Sequence, residues 1–192
     1  MVNNLFNLDL VREKKNIESY IGVANFQKVE NHFNNKASLK SIFHSNEINQ
    51  FNSFPSEARK KSFFLGRYAA KIGLRKFLSN YELNQFEIKT GVFNRPIPFY
   101  HFPTTIFPEV TITHSHDLAL AIAYDHEHVI GIDLEHIPQI KAEYILKVIN
   151  PSEKVIINQV EHIAVLWTIK EALSKALRCG LTVPFELFEI KK

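Results

Sequence analysis

The chain has 192 residues, which is long enough for one sizeable hydrophobic core or for two smaller ones. Its 45% hydrophobic and 22% charged residues are ordinary for a water-soluble globular protein, and sixteen phenylalanines against six glycines argue against a disordered chain. The formal net charge of +3 suits an acidic partner or a phosphorylated ligand, but it is not a nucleic-acid-binding signature, and no nucleic-acid partner is predicted.

A single cysteine, Cys179, excludes an intramolecular disulfide and predicts a protein of the reducing cytoplasm. Residues 1–10 have neither a basic leader nor a long apolar run, so we predict no signal peptide. No stretch approaches the roughly 20 apolar residues that a membrane-spanning helix needs, and no membrane partner is predicted.

The first element with a clear pattern is a helix over residues 56–78, predicted from apolar residues at helical spacing with Ser56 as the N-cap. Residues 82–100 are predicted to be extended and broken. The two prolines within residues 94–98 predict an irregular, exposed run there.

Three strand candidates follow in close succession, over residues 110–114, 118–124 and 129–135. The polar break at residues 125–128 predicts that the last two strands form a hairpin.

Beyond these strands we predict a short helix over residues 144–149 and a longer helix that opens at Pro151 and ends at Gly180. Residues 183–190 are a last, partly alternating strand candidate. This succession predicts an α+β fold in which helices lie on antiparallel sheets. Two sub-domains would meet near residue 115, giving residues 1–115 and 116–192.

The third strand candidate carries two carboxylates. Gly131, Asp133 and Glu135 would point to the same side of the strand, which places the two acids roughly 6–7 Å apart. Both could bind one hard cation with oxygen ligands, and the missing side chain at Gly131 would leave room for a ligand. A solvent-facing acidic strand is the alternative, although acids are depleted in strands.

The long C-terminal helix places Trp167, Glu171, Lys175 and Arg178 on one face. Glu171 and Lys175 could be an ordinary ion pair one turn apart, and Trp167 could be a core aromatic. The face therefore indicates a site only in combination with other motifs.

A third polar cluster comprises His114, Ser115, His116 and Asp117. A His-x-His pair on a strand can bind zinc, it can hydrogen-bond a phosphate, or it can simply end a strand. Ser115 has no nucleophile-elbow context, which argues against a serine hydrolase.

Basic residues decorate the first long helix, where Arg67, Lys71 and Arg75 form a stripe at four-residue steps. Such a stripe is usually solvated, but it could also receive phosphates, and Arg95 on the proline-containing loop could join it.

Taken together and in this order, the motifs resemble the 4′-phosphopantetheinyl transferases, specifically the monomeric type that activates surfactin synthetase. The two strongest signatures are a Gly-Ile-Asp-x-Glu strand at residues 131–135 and a Trp-x-x-Lys-Glu-Ala-x-x-Lys helix at residues 167–175. Three further matches are the Gly-Arg helix segment at residues 65–70, the Ser-His pair at 115 and 116, and a Gly-Lys-Pro loop, in which Asn94-Arg95-Pro96 replaces the Gly and the Lys.

The resemblance implies an α+β fold of two similar halves related by pseudo-twofold symmetry, with a short C-terminal half and the active site between them. It implies a cytoplasmic, monomeric enzyme, a holo-acyl-carrier-protein synthase, that takes coenzyme A and an apo acyl or peptidyl carrier protein as substrates. A carrier serine would attack the β-phosphate, and 3′,5′-ADP would leave.

The resemblance also implies residue roles. Mg²⁺ would be held by Asp133, Glu135 and Glu171, and the catalytic residues would be Glu171 as the base, Lys175 at the phosphate or leaving group, and His116. Coenzyme A would be bound by Arg67, Arg95, Pro96, Ser115, His116 and Lys175.

Two other functions stay open at this point. One is a metal-dependent phosphoester hydrolase that uses His114, His116 and Asp133. The other is an inactive relative that binds carrier proteins, against which the complete set of acids argues.

Overall fold

The computed structural model describes residues 5–137 and 141–190 and has the predicted α+β architecture. None of the helices it describes combines the length and apolar composition needed to cross a membrane. The strands are β1 (Leu5–Asn7), β2 (Leu10–Arg12), β3 (Lys15–Ile17), β4 (Ser19–Asn25), β5 (Phe86–Thr90), β6 (Pro96–Tyr100), β7 (Glu109–Ser115) and β8 (Leu118–Tyr124). The helices are α1 (Phe26–Phe33), α2 (Lys36–Ile42), α3 (Ser45–Ser53), α4 (Glu57–Leu74), α5 (Ala142–Ile145), α6 (Pro151–Lys154) and α7 (Val160–Ala176).

The main sheet is antiparallel, in the order β1-β4-β8-β7. Helix α4 packs across it, over a row of fully buried alanines at alternate positions of β8, Ala119, Ala121 and Ala123. Small residues let the helix backbone approach closely. A Cβ at Gly22 of β4 would lie 1.9 Å from the carbonyl oxygen of Ala69, so this contact requires glycine.

Helix α4 confirms the first predicted element. It begins at Glu57, and the Ser56 hydroxyl caps it by accepting the backbone N–H of Arg59. The helix ends at Leu74, earlier than predicted, and residues 75–80 form turns.

The predicted irregular run around the prolines is wrong, because β5 and β6 pair as an antiparallel hairpin. Pro96 and Pro98 lie in β6 of this two-stranded sheet, where a residue without an N–H is tolerated because one edge of the strand is unpaired. Phe93 and Asn94 make the turn with φ of 54° and 61°, the left-handed region that tight hairpin turns use.

Strands β7 and β8 confirm the next two predicted strands, but they form a hairpin with each other around His116, whose φ is 55°. Residues 129–135 belong to no strand, so both this predicted strand and its hairpin with β8 are wrong. The segment packs instead on the backbone of α7, where a Cβ at Gly131 would lie 2.0 Å from the carbonyl oxygen of Ala172.

The predicted long C-terminal helix is divided. Helix α6 ends at Lys154, and α7 starts separately at Val160 and ends at Ala176, while Gly180 follows in the left-handed region with φ of 56°. The short helix predicted over residues 144–149 lies earlier in the chain: α5 ends at Ile145, and residues 146–149 form turns and bends. The predicted strand over residues 183–190 is wrong: a 3-10 turn at Phe185–Leu187 buries Phe185 against Trp167.

Each half of the chain contains one buried lysine–glutamate ion pair. Lys71 Nζ lies 2.8 Å from Glu47, and Lys170 Nζ lies 2.8 Å from Glu153. Lys71 therefore lies in the core, not on the solvated stripe that its spacing with Arg67 predicts.

Both glutamates also accept the backbone N–H of an N-cap residue, His44 or Asn150, and each lysine donates to two backbone carbonyls of a following segment.

The predicted boundary between residues 115 and 116 falls in the β7–β8 turn, within one sheet. The sub-domain division and the pseudo-twofold relation stay predictions.

Candidate functional site

One cavity of about 480 Å³ lies between α4, the β5–β6 turn, β7, α7 and the segment 129–135. It brings together most of the residues that the sequence singled out, although they come from distant parts of the chain. These are Arg67, Arg95, Pro96, Asp133, Glu135, Glu171 and Lys175.

Asp133 is held from two sides. Its Oδ1 accepts the Thr113 hydroxyl at 2.9 Å and pairs with Lys175 Nζ at 2.7 Å. The same Thr113 oxygen accepts the Leu134 N–H at 3.1 Å, which connects residues 129–135 to β7. Asp133 Oδ2 is buried and has no hydrogen-bond partner among the described residues. A buried carboxylate oxygen without a partner is costly, so this atom is suited to a cation.

Glu171 lies one helical turn before Lys175 on α7. Burial raises the pKa of its carboxyl above the ordinary value, the negative charges of Asp133 and Glu135 raise it further, and Lys175 opposes them. None of the described residues donates a hydrogen bond to this carboxylate. Glu171 is thus a carboxylate of increased basicity that faces two other acids.

Glu135 is oriented by Trp167, whose indole Nε1 donates to Glu135 Oε1 at 3.0 Å. The indole also packs on Phe185 with 5.0 Å between ring centroids. Trp167 is therefore the core aromatic that the sequence allowed, and it also positions the acid.

The three acids suit a hard cation in their chemistry. Carboxylate oxygens are the protein ligands that Mg²⁺ prefers, and Asp133 Oδ2 is a buried oxygen that no described residue satisfies. Asp133, Glu135 and Glu171 would hold the ion.

The same acids are not drawn tightly together. The described residues contain one set of histidine, cysteine or acidic side chains whose ligand atoms all lie within 4.8 Å, and it is His44, Glu87 and His101, away from this cavity. The ligand oxygens of Asp133, Glu135 and Glu171 therefore do not all lie within 4.8 Å of one another.

The His44, Glu87 and His101 cluster is a hydrogen-bonded connection between α3 and the β5–β6 hairpin. Glu87 accepts from Asn46 at 3.2 Å and contacts His101 Nε2 at 3.2 Å. The two imidazoles stack with 4.0 Å between centroids and 9° between planes. Their in-plane lone pairs lie in parallel planes and do not converge on one ion, so we assign no metal here.

The His44 imidazole is nevertheless a pH-sensitive N-cap, since it accepts the Asn46 N–H. Burial and the neighbouring His101 lower the pKa of His44 below its ordinary 6.5. Below this ordinary value the unfolded chain binds more protons than the folded chain, so stability is lost as the pH falls through 6.5.

A His44→Asn variant keeps a capping acceptor and should lose less of its thermal midpoint between neutral pH and about pH 5 than the wild type. A His126→Asn control should match the wild type, and an equal pH dependence of all three proteins would contradict the assignment.

Ser115 and His116 do not line the cavity. His116 forms the β7–β8 turn, and its ring contacts His136 at 4.6 Å between centroids. The structure places Thr113 and His114 in the cavity instead, two residues before the predicted Ser-His pair. His114 belongs to the polar cluster that the sequence singled out, whereas Thr113 was missed.

His114 Nε2 lies 2.8 Å from the Ser62 hydroxyl on α4. Burial lowers the pKa of His114, and the positive charges of Lys175 and Arg59 lower it further. The imidazole is thus neutral near pH 7 and can donate or accept one hydrogen bond toward the cavity.

Arg67 is a cation without an acidic contact among the described residues. Its Nη2 donates to Thr90 Oγ1 at 2.9 Å, and its guanidinium lies over the Phe63 ring at 5.2 Å. Its Nε is buried without a hydrogen-bond partner, and burial lowers its pKa. A guanidinium in this state favours an anion in the adjoining cavity.

Comparison with known families gives one match. The family model described as the 4′-phosphopantetheinyl transferase superfamily matches residues 129–192, the C-terminal third of the chain. No curated protein matches the chain.

Among solved structures, the chain is similar to holo-acyl-carrier-protein synthases. One from Bacillus anthracis str. Ames, in complex with CoA (3′,5′-ADP), is 20% identical with a TM-score of 0.47, over 55% of this chain and 91% of that one. One from Neisseria meningitidis is 16% identical with a TM-score of 0.47, over 55% and 94%. One from Plasmodium yoelii is 15% identical with a TM-score of 0.43, over 63% and 95%.

Proposed function

We propose that this chain is a 4′-phosphopantetheinyl transferase, which moves the phosphopantetheine group of coenzyme A to a serine of an apo acyl or peptidyl carrier protein. The observation that carries the proposal is the convergence of Asp133, Glu135, Glu171 and Lys175, from the two signature motifs, on one cavity. The family match over the segment that contains both motifs supports it.

The cavity is lined by both acidic and basic side chains, which suits a magnesium-dependent reaction of a pyrophosphate. When bound by the three acids, Mg²⁺ would neutralise pyrophosphate charge and polarise the phosphoryl group. Lys175 is paired with Asp133 and lies where it can contact the same phosphates. Arg67 and His114 provide a cation and a neutral hydrogen-bonding group for other coenzyme phosphates.

Glu171 is the base in this proposal. The carrier serine oxygen forms a bond to the β-phosphorus, the bond from that phosphorus to the 3′,5′-ADP oxygen breaks, and the serine proton passes to Glu171. Because burial and neighbouring acids raise the pKa of Glu171, its carboxylate is a stronger base than an exposed glutamate. His114 takes the phosphate-binding place that the sequence predicted for His116.

The same proposal includes more specific properties of this enzyme. They are the surfactin-synthetase-activating type, the magnesium dependence, the monomeric state, the absence of nucleic-acid partners and the cytoplasmic location. The mildly basic chain suits carrier proteins, which are acidic.

Intact-mass spectrometry of apo carrier protein incubated with this protein, coenzyme A and Mg²⁺ tests the proposal. We expect the carrier to gain one phosphopantetheine unit and to lose that gain when its acceptor serine is replaced by alanine or when EDTA is added. Stable carrier binding without a mass change would favour the inactive relative. Phosphoester turnover without a carrier would favour the hydrolase.

A further inference from the structure

Arg178, just after α7, has an unusual backbone. Its φ is 58°, in the left-handed region that favours glycine and costs free energy for any residue with a side chain. Backbone strain of this kind persists where the surrounding structure uses the side chain. The guanidinium is used: it lines the cavity and forms an ion pair with Glu109 at the start of β7.

Glu109 binds two arginines. Its Oε1 lies 2.7 Å from Arg95 Nη2, and its Oε2 contacts Arg178 Nη2 and the Tyr124 hydroxyl, the latter at 3.3 Å. Burial and the adjacent Glu109 charge raise the pKa of Tyr124 to about 12, so Tyr124 stays a neutral donor. Two guanidiniums share one carboxylate, which leaves a net positive charge and unused N–H donors at this place.

The cluster also connects the parts of the fold that surround the cavity. Arg95 directly precedes β6, Glu109 is the first residue of β7, and Arg178 follows the end of α7. Directly beside it, a Cβ at Gly180 would lie 3.0 Å from the Phe93 Cβ, so the hairpin turn packs closely on the segment after α7. The two guanidiniums are therefore held at the cavity in a fixed relative position.

Together with Arg67, this cluster brings three guanidinium groups to the cavity that the three acids also line. From this geometry we infer that Arg178 binds an anionic phosphate group of coenzyme A in the proposed active site, and that Glu109 is a positioning residue that orients Arg95 and Arg178 toward it. The inference rests on the proposed function and adds two residues to the donor site.

The test exploits the φ of Arg178. An Arg178→Gly variant removes the guanidinium and introduces the residue that best tolerates this backbone, so its thermal midpoint should be equal to or higher than that of the wild type. Its affinity for coenzyme A and for 3′,5′-ADP, measured by titration calorimetry without a carrier, should fall by about 10- to 100-fold. Lys14→Gly is the matched control, since Lys14 is also a cation at positive φ (65°) but lies in the β2–β3 turn away from the cavity, and it should bind like the wild type.

Glu109→Gln tests the positioning role. It should raise the KM for coenzyme A with little change in kcat, because the carboxylate acts through the arginines and does not touch the reacting atoms. Arg178→Gly that binds both probes like the wild type, or that unfolds more easily with unchanged affinity, would overturn the inference and leave the proposed function standing. A wild-type protein that binds neither probe would overturn both.

Discussion

A Glu171→Gln variant should transfer phosphopantetheine roughly 10²- to 10⁴-fold more slowly than the wild type, which is the range that a general base contributes. Glutamine keeps the shape of the side chain and cannot take the serine proton. Because Glu171 makes no hydrogen bond with the described residues, its replacement removes no structural contact, and the loss should appear in kcat. The measurement is the rate of carrier mass gain at saturating coenzyme A and Mg²⁺.

The same variant should become more stable relative to the wild type as the pH rises. Burial and the adjacent acids raise the pKa of Glu171, so the folded chain binds more protons than the unfolded chain between the ordinary carboxyl pKa and the raised one. In that range ionisation of Glu171 destabilises the wild type as the pH rises, and glutamine does not ionise. Glu161→Gln is the matched control, an exposed acid in the first turn of the same helix, and it should leave the transfer rate unchanged and cost at most about 1 kcal/mol of stability from its interaction with the helix N-terminus. Unchanged carrier modification by Glu171→Gln would contradict the assignment of the base.

The parts of this fold that are predictable from sequence are those with local signals. Helix α4 has a serine N-cap and apolar residues at helical spacing, and β8 is a nearly continuous apolar run. The central strand β4 was missed because its partner, β8, lies about a hundred residues later, and no local pattern reports such a pairing.

The predictions that failed did so where a distant contact replaced the local pattern. Residues 129–135 alternate like a strand, yet Gly131 packs on the backbone of α7. The acids are positioned by contacts with Thr113, Trp167 and Lys175 instead of by the backbone hydrogen bonds of a sheet. That Glu171 lines the same cavity as these acids was implied by the resemblance to the transferase family and not by the strand pattern.

Of the two lysines of the helix motif, the sequence spacing puts Lys175 on the face of Trp167 and Glu171, but it does not show that Lys170 is buried. Lys170 points into the core, and Lys175 points into the cavity. The helix spacing of five residues puts them on different sides of α7, and only the packing shows which side is buried. Because Lys170 is buried, its replacement is predicted to have a large effect on stability.

A Lys170→Met variant should lose about 3–5 kcal/mol of unfolding free energy, because it leaves the buried Glu153 carboxylate without its counter-charge. Both side chains of this pair are 0% exposed. Burial alone would raise the pKa of Glu153, but the hydrogen bonds from Lys170 and from the Ile190 and Asn150 N–H groups lower it below the ordinary value. Lys170 also donates hydrogen bonds to the backbone carbonyls of Phe185 and Phe188, and the variant loses these bonds between α7 and the following segment as well.

Urea unfolding at neutral pH measures the effect, with Lys154→Met, an exposed lysine of α6, as the control that should stay within about 0.5 kcal/mol of the wild type. Adding Glu153→Gln to Lys170→Met should recover part of the loss, since the single amide oxygen can still accept the Asn150 N–H and no unpaired charge is left. Lys175→Met should show a different profile, with a smaller loss of stability and strongly reduced carrier modification, because its ammonium is partly exposed in the cavity beside Asp133. Equal stability of the Lys170→Met and Lys175→Met proteins would show that the buried pair does not hold the C-terminal part of the fold together.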